Sequence, residues 1–344
     1  MRPLGRGVHG EGWLIRAKGA GGTEEFVIKS VRPNGLGHDY PSDRAGLFLL
    51  ALDTYNSLPN HVKALDVLDL RADGSLRSVG GGKEYYLLMK RAAGKSYFED
   101  LDLLAGKKAL GPGDRQKITR LTSCLAEIHS LRKASKDLYL RKLRDIIGHG
   151  ECLMGVFDSY PRGVVPPVRM AEIEKKCIDW RARLKGKAHF YRRLCRIHGD
   201  FHPGNIWFHE RPAVAGFAGK KKQRSYLEFT LLDRSRGPWG EAADDLTALA
   251  INFIFYSIQR HGKVQGACLE ALKMFFGKYI GLTGDEAVLG LVAPFFAFRG
   301  VVVANPAFYP RLGDEGRSLI FRFIHRVLDS PVFEPERVND YISS

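Results

Sequence analysis

The sequence predicts an α+β chain in two lobes, a small one built on an antiparallel sheet and a larger, mainly helical one. Three patterns lead there. The first part of the chain runs in short strand-like segments separated by glycine-rich turns. The segment Tyr85-Tyr-Leu-Leu-Met-Lys-Arg-Ala-Ala-Gly94 is an apolar run that gives way to an exposed, glycine-containing connector. Beyond it, apolar residues recur at spacings of three and four, the period of a helix. The lobes then divide as 1–91 and 92–344, and 344 residues suffice for two cores.

In chain order, Leu4 to Ala17 carries Gly5, Gly7, Gly10 and Gly12. Its glycines suit either a hairpin turn or a loop whose backbone approaches phosphates, and the spacing fits no standard phosphate motif. Glu25 to Val31 reads as a strand with Lys29 inside it. Ser42 to Tyr55 reads as a helix with Ser42 as N-cap and Asp43 in its first turn. Strands follow at Val62 to Leu70 and Tyr85 to Met89, joined by a hairpin at Gly80 to Gly82. From Asp114 to Lys133, Ile118, Leu121, Leu125, Ile128 and Leu131 form an apolar stripe, with His129 as a structural residue beside it. Arg162 to Arg196 holds eleven Lys and Arg against three Asp and Glu, above a stripe of Met170, Ile173, Cys177 and Trp180. That basic face is either solvated or an anion-binding surface. Arg211 to Ser225 is a hairpin tip, and Leu227 to Leu232 is a strand ending in Asp233. Leu246 to Ile258 is apolar on most faces and predicts a deeply buried helix. Helical segments at Val264 to Tyr279, Glu286 to Val303 and Glu315 to Leu328 complete the larger lobe.

Composition narrows the function classes. With 44% hydrophobic and 26% charged residues the chain is an ordinary globular protein. Its start, MRPLGRG, lacks an apolar secretory region, and Leu289 to Val303 is too short to span a bilayer and contains Arg299, so a cytoplasmic protein is expected. Five cysteines without C-x-x-C spacing argue against zinc and a disulfide framework. A net charge of +15 attracts anions and disfavours a polycationic ligand. Nucleic acid is disfavoured as a partner, because the basic runs lack interleaved aromatics.

The chemistry concentrates in His198-Gly-Asp-Phe-His-Pro-Gly-Asn205. Asp200 can take or orient the proton of an attacking hydroxyl. Asn205 and the strand-end Asp233 offer oxygens to a magnesium ion that carries nucleotide phosphates. The spacing H-x-D-x-x-x-x-N followed by a strand-end Asp is the protein-kinase pattern without its usual Arg. With Gly199 in that place and His-Pro-Gly before the Asn, the chain resembles the aminoglycoside phosphotransferase and choline kinase family.

The resemblance implies a protein-kinase-like fold that transfers the γ-phosphoryl group of ATP, with Mg2+, to a hydroxyl of a small molecule. It assigns Lys29 to the phosphates with Asp43 as its acidic partner, although kinase-like proteins usually have Glu there. It further assigns Gly5, Gly7 and Gly10 to the phosphate loop and the backbone between Lys90 and Ala92 to the adenine. His198 and Asp245 support the catalytic loop, and the Arg162 to Arg196 region forms part of the acceptor pocket. The charge favours an anionic acceptor over an aminoglycoside, a lipopolysaccharide sugar being one such acceptor. A non-catalytic nucleotide- or anion-binding module of the same fold is the alternative, favoured by the irregular glycine loop, Asp43 and the Asp233-Arg-Ser sequence.

Overall fold

The computed structural model describes residues 2–6, 10–19, 21–32, 41–79, 84–212, 225–234 and 236–343. Gly7, the Gly80–Gly82 hairpin and the hairpin tip at 213–224 lie outside the described residues. The chain folds as the two-lobed α+β class that its strand and helix patterns predict.

Strands β1 (Arg2–Arg6), β2 (Gly10–Gly19), β3 (Gly22–Val31), β4 (Ala64–Leu70), β5 (Leu76–Ser78) and β6 (Glu84–Lys90) form an antiparallel sheet in the order β1-β2-β3-β6-β4-β5. Helix α1 (Pro41–Tyr55) packs on β4 and β6. Phe48, Ala51 and Tyr55, spaced three and four apart, meet Val31, Val62, Val67 and Leu87 in a core of their own. Lys29 sits in mid-sheet, opposite Gly12 on one side and Leu87 on the other.

The sheet ends at Lys90, and the strands that follow belong to other sheets: β7 (Lys95–Ser96), β8 (Cys195–Arg196), β9 (Ile206–Pro212), β10 (Ser225–Leu231) and β11 (Trp239–Gly240). β9 lies between β7 and β10, and β8 pairs with β11. The rest is helical: α2 (Tyr97–Ala105), α3 (Pro112–Ser130), α4 (Lys136–Gly148), α5 (Leu153–Asp158), α6 (Pro167–Gly186), α7 (Ala242–His261), α8 (Gly266–Thr283), α9 (Ala293–Ala304) and α10 (Asp314–Asp329). Helix α7 is buried on every face from Ala242 to Phe255, as its all-round apolar pattern requires. The expected Glu286 to Val303 helix is instead a 3₁₀ turn at Glu286–Gly290 followed by α9. Pro294 accounts for the break, since a residue without an N–H is tolerated only in a helix's first turn.

The five cysteines are all buried and free. Among the described residues no helix is long and apolar enough to cross a membrane.

Candidate active site

The loop from Ile197 to Asn205 is held from behind by one carboxylate. Asp245, in the first turn of α7, accepts the backbone N–H groups of His198 and Gly199, each at 2.7 Å. It also accepts from His129 Nε2 at 3.1 Å, and His129 Nδ1 in turn accepts the Tyr279 hydroxyl at 2.9 Å. Gly199 has φ +89°, a backbone conformation that side chains resist, so glycine replaces the kinase arginine for a steric reason. His198 Nδ1 then accepts the Asp200 N–H at 3.3 Å.

Asn205 Nδ2 donates to the Asp200 carbonyl at 3.0 Å, which leaves the amide oxygen as its remaining donor to an ion. The N–H of Leu232 donates to the Asn205 carbonyl at 2.9 Å, so the following residue, Asp233, emerges beside Asn205. Asp233 has φ +54°, a region that few residues other than Gly occupy and that clusters at functional sites. Lys29 Nζ reaches its Oδ2 at 2.5 Å. Lys29, Asn205, Asp200 and Asp233 therefore line one cavity of about 620 Å³.

Asp200 is gripped at a single oxygen. Arg236 Nη1 and Arg299 Nη1 each contact Oδ1 at 2.6 Å. Among the described residues Oδ2 has looser neighbours, Asn205 Nδ2 at 3.4 Å and His202 Nε2 at 3.6 Å. Burial works against the charge of Asp200, but the guanidiniums of Arg236 and Arg299 outweigh it and hold the carboxyl well below its usual range. Burial likewise opposes the charge on Asp233, and Lys29 overrides it to lower that pKa. Arg299 Nη2 continues to Asp244 Oδ1 at 2.7 Å, and Lys142 meets Asp244 Oδ2 at 2.6 Å.

Other expected site residues lie elsewhere. Lys29 pairs with Asp233 and not with Asp43. Asp43 is exposed in the first turn of α1, where its short side chain lines a neighbouring cavity of about 470 Å³ and complements the positive helix end. Gly5 lies at a bulge in β1 and does not line the larger cavity, whereas Gly10 does. A Cβ on Gly10 would sit 1.9 Å from the Ser30 carbonyl oxygen, so strand contact alone demands glycine there. At the connector, Met89 lines the cavity while Lys90 and Ala92 do not, and the Lys90 N–H is taken by the Lys63 carbonyl at 3.2 Å. No residue of α6 lines the cavity. Its apolar stripe faces α10, where Trp180 Nε1 donates to the Leu328 carbonyl at 2.8 Å, and this turns the basic face outward.

The far wall comes from residues that the sequence did not mark: Arg236, Asn252, Arg299, Phe308 and Tyr309. One signal was present for Arg299, a lone charge inside an otherwise apolar helix.

A family model described as "Phosphotransferase enzyme family" matches residues 1–217. Among solved structures, an amicoumacin kinase in complex with AMP-PNP, Ca2+ and amicoumacin is similar in fold, with TM-score 0.55 and 14% identity over 97% of this chain and 90% of that one. A Plasmodium vivax ethanolamine kinase has TM-score 0.49 and 11% identity over 97% and 78%. A glucosamine kinase has TM-score 0.49 and 15% identity over 92% and 81%. No curated protein sequence matches the chain.

Proposed function

Because the chain belongs to the phosphotransferase enzyme family, and is thereby a small-molecule phosphotransferase, we propose that it moves the γ-phosphoryl group of ATP to an alcohol hydroxyl held against Asp200. One observation carries this reading: Lys29, Asp200, Asn205 and Asp233, spread over some two hundred residues, line a single cavity. A pure binding module has no evident use for all four.

The Asn205 amide oxygen and the Asp233 carboxylate fit a hard divalent cation such as Mg2+, which is usually held by one or two carboxylates together with substrate phosphates. Val27, Val31, Met89 and Leu232 give the cavity an apolar wall suited to a base, and Lys29 is placed to hold phosphates. ATP, when bound, supplies the phosphoryl group. Asp200 Oδ2, the oxygen that the arginines leave, orients the acceptor hydroxyl. With its pKa held low, Asp200 acts chiefly by positioning and takes the proton late, which suits a loose transition state that asks little of a base.

An anionic acceptor, suggested by the +15 charge, finds little support at the cavity wall. Lys29, Arg236 and Arg299 are each already paired with Asp233, Asp200 or Asp244. Replacement Asp200→Asn should lower acceptor-dependent ADP formation by roughly 10²-fold or more while thermal unfolding stays close to that of the unaltered protein. Full turnover in this variant would remove Asp200 from the chemistry, whereas no acceptor-dependent ADP formation by the unaltered protein would return it to the binding-module reading.

A further inference from the structure

Beyond Asp200 the cavity is walled by Phe98, Val156, Ile251, Val302, Val303 and Phe308, an apolar sleeve between α7 and the end of α9. One uncharged polar side chain on α7 interrupts it. Asn252 lines the cavity, is 2% exposed, and donates from Nδ2 to the Ala248 carbonyl at 2.8 Å. A carbonyl can only accept, so this bond fixes which end of the amide is which. Oδ1 is then a buried acceptor, and it has no hydrogen-bond partner among the described residues. Leaving such an atom unsatisfied is costly in a folded protein, and a ligand that donates to it recovers the loss.

Charge in this part of the cavity is spent. Asp200 and Asp244 are held by Arg236, Arg299 and Lys142, and Glu151 lies within electrostatic reach of Arg236. Among the described residues, neither a polycation nor a polyanion finds complementary unpaired charge in the ion pairs that surround Asp200 and Asp244.

We propose, resting on the phosphotransferase reading, that the acceptor is an uncharged hydroxyl compound with an apolar body, and that Asn252 selects it by accepting a hydrogen bond from an N–H or O–H on that body. Asn252 lies two turns along α7 from the residues that anchor the catalytic loop, roughly 11 Å at 1.5 Å per residue. The separation between the donor group of the acceptor and the hydroxyl that is phosphorylated is the quantity that the test varies.

The test uses the full chain with Mg2+ and AMP-PNP for binding by calorimetry, and Mg-ATP for turnover. The probes are benzamides bearing a terminal hydroxyl on chains of four to eight carbons, each prepared as the N–H amide and its N-methyl counterpart. Kanamycin and glucose 6-phosphate serve as the polycationic and anionic arms. At the best chain length the N–H amide should bind and turn over about 10-fold or more better than its N-methyl partner. Replacement Asn252→Leu should erase that difference and leave AMP-PNP binding unchanged. Replacement Asn252→Thr should keep it, because a Thr hydroxyl can donate to the Ala248 carbonyl, as Thr247 does to Ala243 at 2.8 Å, and still accept. Equal binding of the paired amides, no binding by either series, tighter binding of kanamycin or glucose 6-phosphate, or discrimination that survives Asn252→Leu would each overturn the proposal. Discrimination without nucleotide binding would instead remove the kinase reading and leave the recognition by Asn252 standing.

Discussion

Two guanidiniums on one carboxylate oxygen is an expensive arrangement for a reacting group, because three charges are buried to fix a single side chain. The return is geometric. With Oδ1 of Asp200 taken by Arg236 and Arg299, rotation of the carboxylate is blocked and Oδ2 keeps one direction. Replacement Arg299→Met leaves Arg236 alone on Asp200 and Lys142 alone on Asp244. The turnover number should fall roughly 10- to 100-fold with little change in the KM for ATP, as for other small misplacements of a reacting group. The acid limb of the rate profile should also move to higher pH, since one of the cations that depress the Asp200 pKa is gone. A proportional loss of folded protein with an unshifted profile would reduce Arg299 to a packing role. The contrast with Asp200 itself explains what could be read from the chain. His198, Asp200 and Asn205 are within one loop, so their spacing alone carries the chemistry. Arg299 reaches Asp200 across ninety-nine residues, and only the packing of α9 against α7 brings it there. Asp43 misled for a subtler reason: its position in the first turn of α1 was right for the kinase pattern, but α1 leaves it exposed while Lys29 turns to Asp233.

At the level of elements, the end of β10 matters more than its strand pairing. The residue after Asp233 is Arg234, wholly buried, which donates to the Ile197 carbonyl from Nε and Nη2 and to the Thr54 carbonyl from Nη1. Its own N–H donates to the Tyr55 hydroxyl at 3.0 Å. One side chain thus ties the end of α1 to the strand entering the catalytic loop. Burial lowers its pKa to about 10, still high enough to keep it charged at neutral pH. In the sequence, Asp233-Arg-Ser spoke here only for a non-catalytic module. The structural consequence is a braced segment in place of a swinging one. Replacement Arg234→Met should cost about 3 kcal/mol, because three donor contacts disappear and the Ile197 carbonyl loses both of its Arg234 donors, while the Thr54 carbonyl keeps Ser57. The measurement is the urea midpoint, and a loss below about 0.5 kcal/mol, the range of ordinary surface changes, would show that the brace is dispensable. Helix content was legible because the 3.6 period survives in α3, α8 and α10 and because α7 is apolar nearly all round. Helices α2, α4 and α5 escaped notice, being short or weakly marked in the chain. The placement of α6 away from the cavity is a tertiary fact that no local pattern encodes.

Across the whole molecule, the join between the sheet lobe and the helical lobe is built around histidines that must stay neutral. The Val62 N–H donates to the Leu231 carbonyl at 3.1 Å, and the Leu231 N–H to the Asn60 carbonyl at 2.9 Å, so residues 60–62 lie along the end of β10. Between them His61 packs 4.1 Å from the Tyr55 ring and 5.8 Å from the His198 ring. Burial lowers the His61 pKa to about 3, and it lowers those of His198 and His202 as well. In the unfolded chain these histidines bind protons near pH 6.5, whereas in the folded one burial opposes their protonation, so stability must fall as pH drops below that value. Asp200, Asp233 and Asp245 behave differently: their pKa values are depressed from 3.8, so their contribution is complete above that pH and is lost only below it. The acid limb of stability should therefore begin near pH 6.5, well before these three carboxylates titrate. Each neutral-buried histidine contributes up to about 1.4 kcal/mol per pH unit. Replacement His61→Gln removes one such group and should flatten the fall in unfolding midpoint between pH 6.5 and 5 by a measurable share. A midpoint that stays level across that interval in the unaltered protein, or an equally steep fall in His61→Gln, would mean that the lobes are not joined through neutral imidazoles.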